Sequence, residues 1–155
     1  LLAVLDSSGF VTFFDSAKNY VEVGRVRVRD IESDSQQMDI VECDGRTLLA
    51  VCSQESTGVS VWDVTTPTKS VRLWTNLNAH SEGLTSVRFS PDGLVLATTS
   101  DDKLVKLWSS LRGVELHSLK GHTSSSSFLC FHPKEDSVFA SVGWNDCKLL
   151  FYGLG

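Results

Sequence analysis

Four aromatic side chains, Phe14, Trp62, Trp108 and Tyr152, each close a short apolar run, and they follow one another at intervals of 48, 46 and 44 residues. Before Trp108 the chain reads SVRFSPDGLVLATTSDDKLVKLW over residues 86–108. This is an apolar-ended strand, a Pro-Asp-Gly turn, a run of small and β-branched residues, an acidic turn and a last strand. The same landmarks recur in order in VECDGRTLLAVCSQESTGVSVW and LCFHPKEDSVFASVGWNDCKLLFY, and more faintly in the opening LLAVLDSSGFVTFFD. A period in the forties with several short strands per unit points to β-sheet units repeated radially, a propeller.

The unit ending at Trp108 parses into strands near 84–90, 94–100, 104–108 and 114–119. Between the first two, Pro91 presets φ and Gly93 supplies the permissive backbone of a turn. Residues 94–100 are almost continuously apolar or small, as expected of a strand covered on both faces. Residues 114–119 alternate, Val114, Leu116 and Ser118 opposing Glu115, His117 and Leu119, the pattern of a half-buried strand. The preceding unit supplies strands near 37–42, 47–53, 59–64 and 70–77. The opening partial unit offers 2–5, 10–14 and 20–28, and the closing one 127–131, 137–143 and 148–152. Within 20–28, Val21 and Val23 have opposite parity to Val26 and Val28, so a bulge at Gly24 is expected to restore one apolar face and turn the arginines outward. The polar stretch 30–37 reads as a connecting loop, and no segment shows sustained helical periodicity. The expectation is an all-β chain of β-propeller blades of four antiparallel strands, an incomplete propeller of about two full and two partial blades. The partial blades fall at 1–29 and 122–152 and the full blades at 36–77 and 80–120. The chain opens in mid-unit without Met and reads as a segment of a longer protein.

The 14 Lys and Arg against 19 Asp and Glu leave a formal net charge of −5. That balance argues against broad attraction to nucleic acid or an anionic membrane. The short row Arg25, Arg27, Arg29 reads as a solvated strand face. No apolar run approaches the roughly 20 residues of a membrane helix. Cys43, Cys52, Cys130 and Cys147 form no C-x-x-C pair and read as reduced thiols packed in or beside strands. The expected home is therefore intracellular, cytoplasm and/or nucleus.

These units resemble the WD-repeat (WD40, β-transducin-like) family, strongly over residues 78–152, moderately over 36–77 and weakly over 1–35. Gly121-His122 is similar to the family's opening dipeptide, and Ala79-His80 less so. Trp62-Asp63 matches the closing dipeptide, while Trp108-Ser109, Phe14-Asp15 and Tyr152-Gly153 depart from it. The resemblance implies a buried hydrogen-bond network of His80, Thr98 or Ser100, Asp102 and Trp108. In the last unit His122 and Asp146 remain, Asp146 standing six residues before Tyr152 as Asp102 stands six before Trp108. On that alignment the hydroxyl positions fall on Val142 and Trp144, which carry none. In the unit closing on Trp62, Ser56 takes the Asp position and Glu32 falls near the His position, so no such network is expected there. Because buried polar groups must be paired, the Trp108 unit is expected to be the most rigid and the Trp62 unit the softest.

His80, Ser100 and Asp102 have the composition of a hydrolase triad, but no G-x-S-x-G surrounds Ser100 and the repeat spacing accounts for all three. The histidines at 80, 117, 122 and 132 fit no metal-ligand spacing, and no phosphate-binding glycine loop occurs. The expectation is no catalytic residue, no metal, no cofactor and no small-molecule substrate. The resemblance implies a non-enzymatic protein–protein interaction scaffold that presents loop residues to partner proteins in a multiprotein complex. By analogy the turn between the second and third strands of a blade lies on the partner-binding face. Trp144 is then an interface anchor, or else it packs inward. Asn145 and Asp101, beside the network aspartates, come next, followed by Glu82 and residues 123–125. The alternatives are a peptide- or substrate-recognition propeller such as a ubiquitin-ligase substrate receptor, an enzyme subunit with its chemistry elsewhere, and a ribonucleoprotein assembly subunit, which would need a basic face.

Overall fold

Fourteen short strands in four antiparallel sheets make up the computed structural model, which describes residues 1–28 and 36–153. Arg29, Glu32 and most of the polar 30–37 stretch lie outside the described residues. The first sheet holds β1 (Leu2–Leu5), β2 (Phe10–Asp15) and β3 (Val21–Arg27). The second holds β4 (Gln36–Cys43), β5 (Arg46–Ser53), β6 (Val59–Asp63) and β7 (Val71–Asn76). The third holds β8 (Leu84–Phe89), β9 (Val95–Ser100), β10 (Val105–Ser109) and β11 (Glu115–Leu119). The fourth holds β12 (Ser126–His132), β13 (Glu135–Gly143) and β14 (Leu149–Gly153). Each strand pairs with its neighbour in sequence, so short turns suffice throughout. Helical geometry among the described residues is confined to two 3-10 turns, Ser16–Lys18 and Pro67–Lys69.

The edge strands β4, β8 and β12 lie against one another from sheet to sheet, with β5 also on β8 and β9 on β12. Successive sheets therefore stack face to face around one side, as propeller blades do. The stacking explains why β5 and β9 are buried along most of their length. Leu48, Ala50 and Cys52 of β5 pack toward the third sheet with Val87, Leu96 and Trp108, whereas Leu49 and Val51 pack toward the first with Val11 and Phe13. In β9, Leu96 joins one cluster and Ala97 the other, beside Val105, Leu107, Leu129 and Phe139. With a period of two, every side chain of such a strand meets a covering sheet. Each fully buried Leu or Val contributes roughly 1.5–3 kcal/mol.

Local departures from the sequence reading have physical causes. Phe13 lies opposite Gly24 but Phe14 opposite Glu22, so the extra residue of the bulge is Val23, one position before Gly24. Arg25 and Arg27 turn outward, and the Arg25 guanidinium lies 4.1 Å from the Phe10 ring centre. Gly24 answers a different demand: a Cβ there would come within 2.7 Å of Pro67 Cβ in the neighbouring sheet's connector. The expected inward face of β11 is not buried, since Val114 and Leu116 are exposed and Leu119 instead joins the core. All four cysteines are free, Cys43 and Cys52 buried, Cys130 and Cys147 exposed. No helix among the described residues is long and apolar enough to cross a membrane.

Gly83 marks a close approach of the segment before β8 to the second sheet's loop, for a Cβ there would overlap the Gln54 carbonyl. Gly83→Ala should cost about 1–3 kcal/mol by forcing backbone from backbone. Gly153→Ala, with nothing near its Cβ, should leave the urea midpoint of the intact protein unchanged.

Candidate functional site

The β9–β10 turn carries Asp102 beneath the segment entering β8, where His80 lies buried. Trp108 Nε1 donates to Thr98 Oγ1 at 2.9 Å, Thr98 Oγ1 lies 2.8 Å from His80 Nε2, and His80 Nδ1 lies 2.9 Å from Asp102 Oδ2. Asp102 also accepts the backbone N–H of Ser81 at 3.1 Å and of Leu104 at 3.0 Å. With the imidazole neutral and its proton on Nδ1, the chain runs indole to hydroxyl, hydroxyl to Nε2, and Nδ1–H to carboxylate. Burial holds the His80 pKa below its ordinary 6.5, outweighing the pull of the Asp102 charge. For Asp102 burial works upward, but the Leu104 N–H, the His80 ring and the Ser81 N–H outweigh it and hold the carboxyl below 3.8. Ser100 stands one step aside, its Oγ donating to the Glu82 carbonyl and accepting from Asp102 N, both at 3.1 Å.

The fourth sheet repeats this relay with different chemistry. His122 Nδ1 lies 2.9 Å from Asp146 Oδ2, His122 Nε2 lies 2.7 Å from Ser141 Oγ, and Ser141 Oγ lies 3.2 Å from the Tyr152 hydroxyl. The His122 and Asp146 side chains are 0% and 1% exposed. Burial raises the Asp146 pKa, yet the Thr123 N–H, the His122 ring and the Lys148 N–H bring it down to about 2. Here the alignment onto Val142 and Trp144 is corrected: the hydroxyl comes from Ser141. The stretch from strand hydroxyl to turn aspartate is one residue longer than in the third sheet, so counting back from Asp146 misses it. Counting through the strand pairing finds both, since Thr98 lies opposite Lys106 and Ser141 opposite Leu150, each two residues before the closing aromatic. In the second sheet Trp62 Nε1 donates to nearby Ser60 Oγ at 3.2 Å, and Ser56 Oγ accepts from Gly58 N at 3.1 Å.

A hydrolytic triad does not form. Ser100 faces the Glu82 carbonyl, and the hydroxyl against His80 Nε2 is the fully buried Thr98, already engaged by Trp108. Among the described residues no three His, Cys, Asp or Glu side chains gather as a metal site.

What the relays fix is a set of turns. Asp146 pins the β13–β14 turn, where Asn145 N and Asp146 N both donate to Ser124 Oγ at 3.0 Å and Trp144 N donates to the Ser125 carbonyl at 2.8 Å. On this clamped backbone the Trp144 side chain is 72% exposed. Beside it runs an open groove of about 400 Å³, lined by Gln54, Thr85, Asp101, Ser125, Ser127, Phe128 and Trp144. Asp101 is held by its N–H to the Gly83 carbonyl at 3.0 Å, and its carboxylate accepts from Gln54 Nε2 at 3.3 Å. Of the candidate residues, Asp101 and Trp144 share the groove, while Glu82 and Asn145 are exposed outside its lining. Phe128, 63% exposed, was hidden in sequence within an apolar strand. An irregularity between Ser126 and Phe128 resets that strand's register.

The family model described as WD domain, G-beta repeat (WD40) matches residues 71–109 and 113–152. The Arabidopsis thaliana transcriptional corepressor LEUNIG_HOMOLOG is 29% identical over 149 residues, 96% of this chain and 17% of that protein. The Komagataella phaffii nuclear distribution protein PAC1 is 33% identical over 111 residues, 61% of this chain and 21% of that protein. The chain thus spans about a fifth or less of these relatives. A chain in the crystal structure of the mitotic checkpoint complex superposes with a TM-score of 0.75 at 16% identity, covering 97% of this chain and 43% of that one, a likeness of fold.

Asp102→Ala orphans the His80 N–H and two backbone N–H groups, and should cost about 1–3 kcal/mol per group left buried and unpaired, read as a lowered urea midpoint. The depressed His80 pKa means its contribution is complete above about 6.5 and is lost as pH falls through the folded value. The depressed Asp102 and Asp146 values add a second loss below 3.8, reaching down to about 2 for Asp146. Asp39, raised by burial, opposes that second loss. Urea midpoints measured from neutral to acidic pH should fall in that order, and His80→Asn should flatten the first decline.

Proposed function

This chain belongs to the WD40 family of WD-domain, G-beta repeats, and on that premise we propose that it is part of a non-enzymatic platform for protein–protein interaction, with the groove beside Trp144 as a contact point. The observation that carries the reading is a large aromatic side chain, 72% exposed, on a turn immobilised by buried hydrogen bonds. An exposed indole on a rigid backbone loses little entropy on binding and offers a large area to cover, which is why Trp is enriched among hot spots. Loops carried on a stiff scaffold are the usual location of recognition residues. The net charge of −5 favours protein partners over nucleic acid or an anionic membrane surface. Free cysteines and relatives named for transcriptional corepression and nuclear distribution support an intracellular setting, cytoplasm and/or nucleus.

The test is Trp144→Ala in the full-length protein. Recovery of co-purifying proteins should fall about tenfold, the scale of a hot-spot side chain, with the urea midpoint unchanged. Unchanged recovery would overturn the assignment of this face.

A further inference from the structure

We propose that the groove between the third and fourth sheets accepts a cationic side chain, arginine in preference to lysine, from an extended segment of a partner protein. The proposal rests on the platform reading above and deepens it by naming the chemistry of the occupant. Three features of the groove converge on that chemistry.

The first is charge. Asp101 makes no ion pair among the described residues. Among the described residues its one side-chain partner is the neutral Gln54 amide, which donates to Oδ2, and no donor there reaches Oδ1. The second is aromatic surface. Trp144 and Phe128, both largely exposed, line the same groove. A ring face attracts a cation, and Trp does so best. A flat guanidinium can stack on such a face while its edge donates to a carboxylate, which a tetrahedral ammonium does less well. The third is rigidity. The Asp101 N–H is tied to Gly83 across the turn, and the Trp144 N–H to Ser125, so the backbone carrying carboxylate and indole is held in place. Preorganisation of this kind spares the ordering cost of binding. At about 400 Å³ the groove lies at the small end of ligand-sized clefts, suited to one or two side chains of an extended segment.

The test uses the full-length protein and blocked fluorescent peptides identical except at the central residue: arginine, lysine, or citrulline, the neutral isostere of arginine. Fluorescence anisotropy should show the arginine peptide binding about tenfold tighter than citrulline, with lysine between them, as expected for a cation–π contact joined to one charge-assisted hydrogen bond. Asp101→Asn should erase the arginine-over-citrulline preference without changing the urea midpoint. Trp144→Ala should weaken all three peptides. Equal binding of arginine and citrulline peptides, no measurable binding of any, or a preference that survives Asp101→Asn would each overturn the proposal. If partner recovery falls with Trp144→Ala while the arginine preference is missing, the platform reading stands and only the cationic occupant fails. If recovery is untouched by Trp144→Ala, the platform assignment fails first.

Discussion

Two-sided burial of the middle strands is the constraint from which the rest of the structure follows. β5 and β9 have no solvent-facing side, and their alternate residues belong to different cores. No sheet here can bury its apolar surface alone, so each exists only as the neighbour of the next. Stacking also settles where small residues must stand. Gly24 faces Pro67 and Gly83 faces Gln54, at the points where one sheet's connector or turn presses on another.

Stacking fixes the sheets but leaves their turns free, and the buried relays take up that task. Trp108, Thr98, His80 and Asp102 form one continuous chain of donors and acceptors. Its last member reaches the backbone of Ser81 and Leu104 and thereby holds two loops together. His122, Ser141, Tyr152 and Asp146 do the same in the fourth sheet with a phenol in place of an indole. The polar interior is thus a device for positioning surface loops, and the exposed indole of Trp144 sits on one of them.

Strand positions were legible to within a residue or two, because each strand is short, apolar and bounded by turn residues. The relay in the third sheet was legible in His80, Asp102 and Trp108, while the choice between Thr98 and Ser100 as its hydroxyl came from the structure. Ser141 was missed because the fourth sheet inserts one residue before its aspartate, and a linear count cannot see which residues antiparallel pairing sets opposite one another. The outward turn of Phe128 was hidden for the same reason: a register shift changes which face a side chain occupies without changing the sequence around it. The exposure of Val114 and Leu116 depended on what packs against the outer strand, which no alternation pattern encodes.

The amino-acid sequence by itself determined the repeat, the number and order of strands, the free thiols and the residues able to make a polar relay. All of these depend on local preference or on spacing along the chain. Only the tertiary structure decided that Trp144 points to solvent, that Phe128 and Asp101 join it in one groove, and that Ser141 completes the second relay. Those outcomes depend on register and on the approach of one sheet to another, where residues more than forty positions apart in the chain become neighbours.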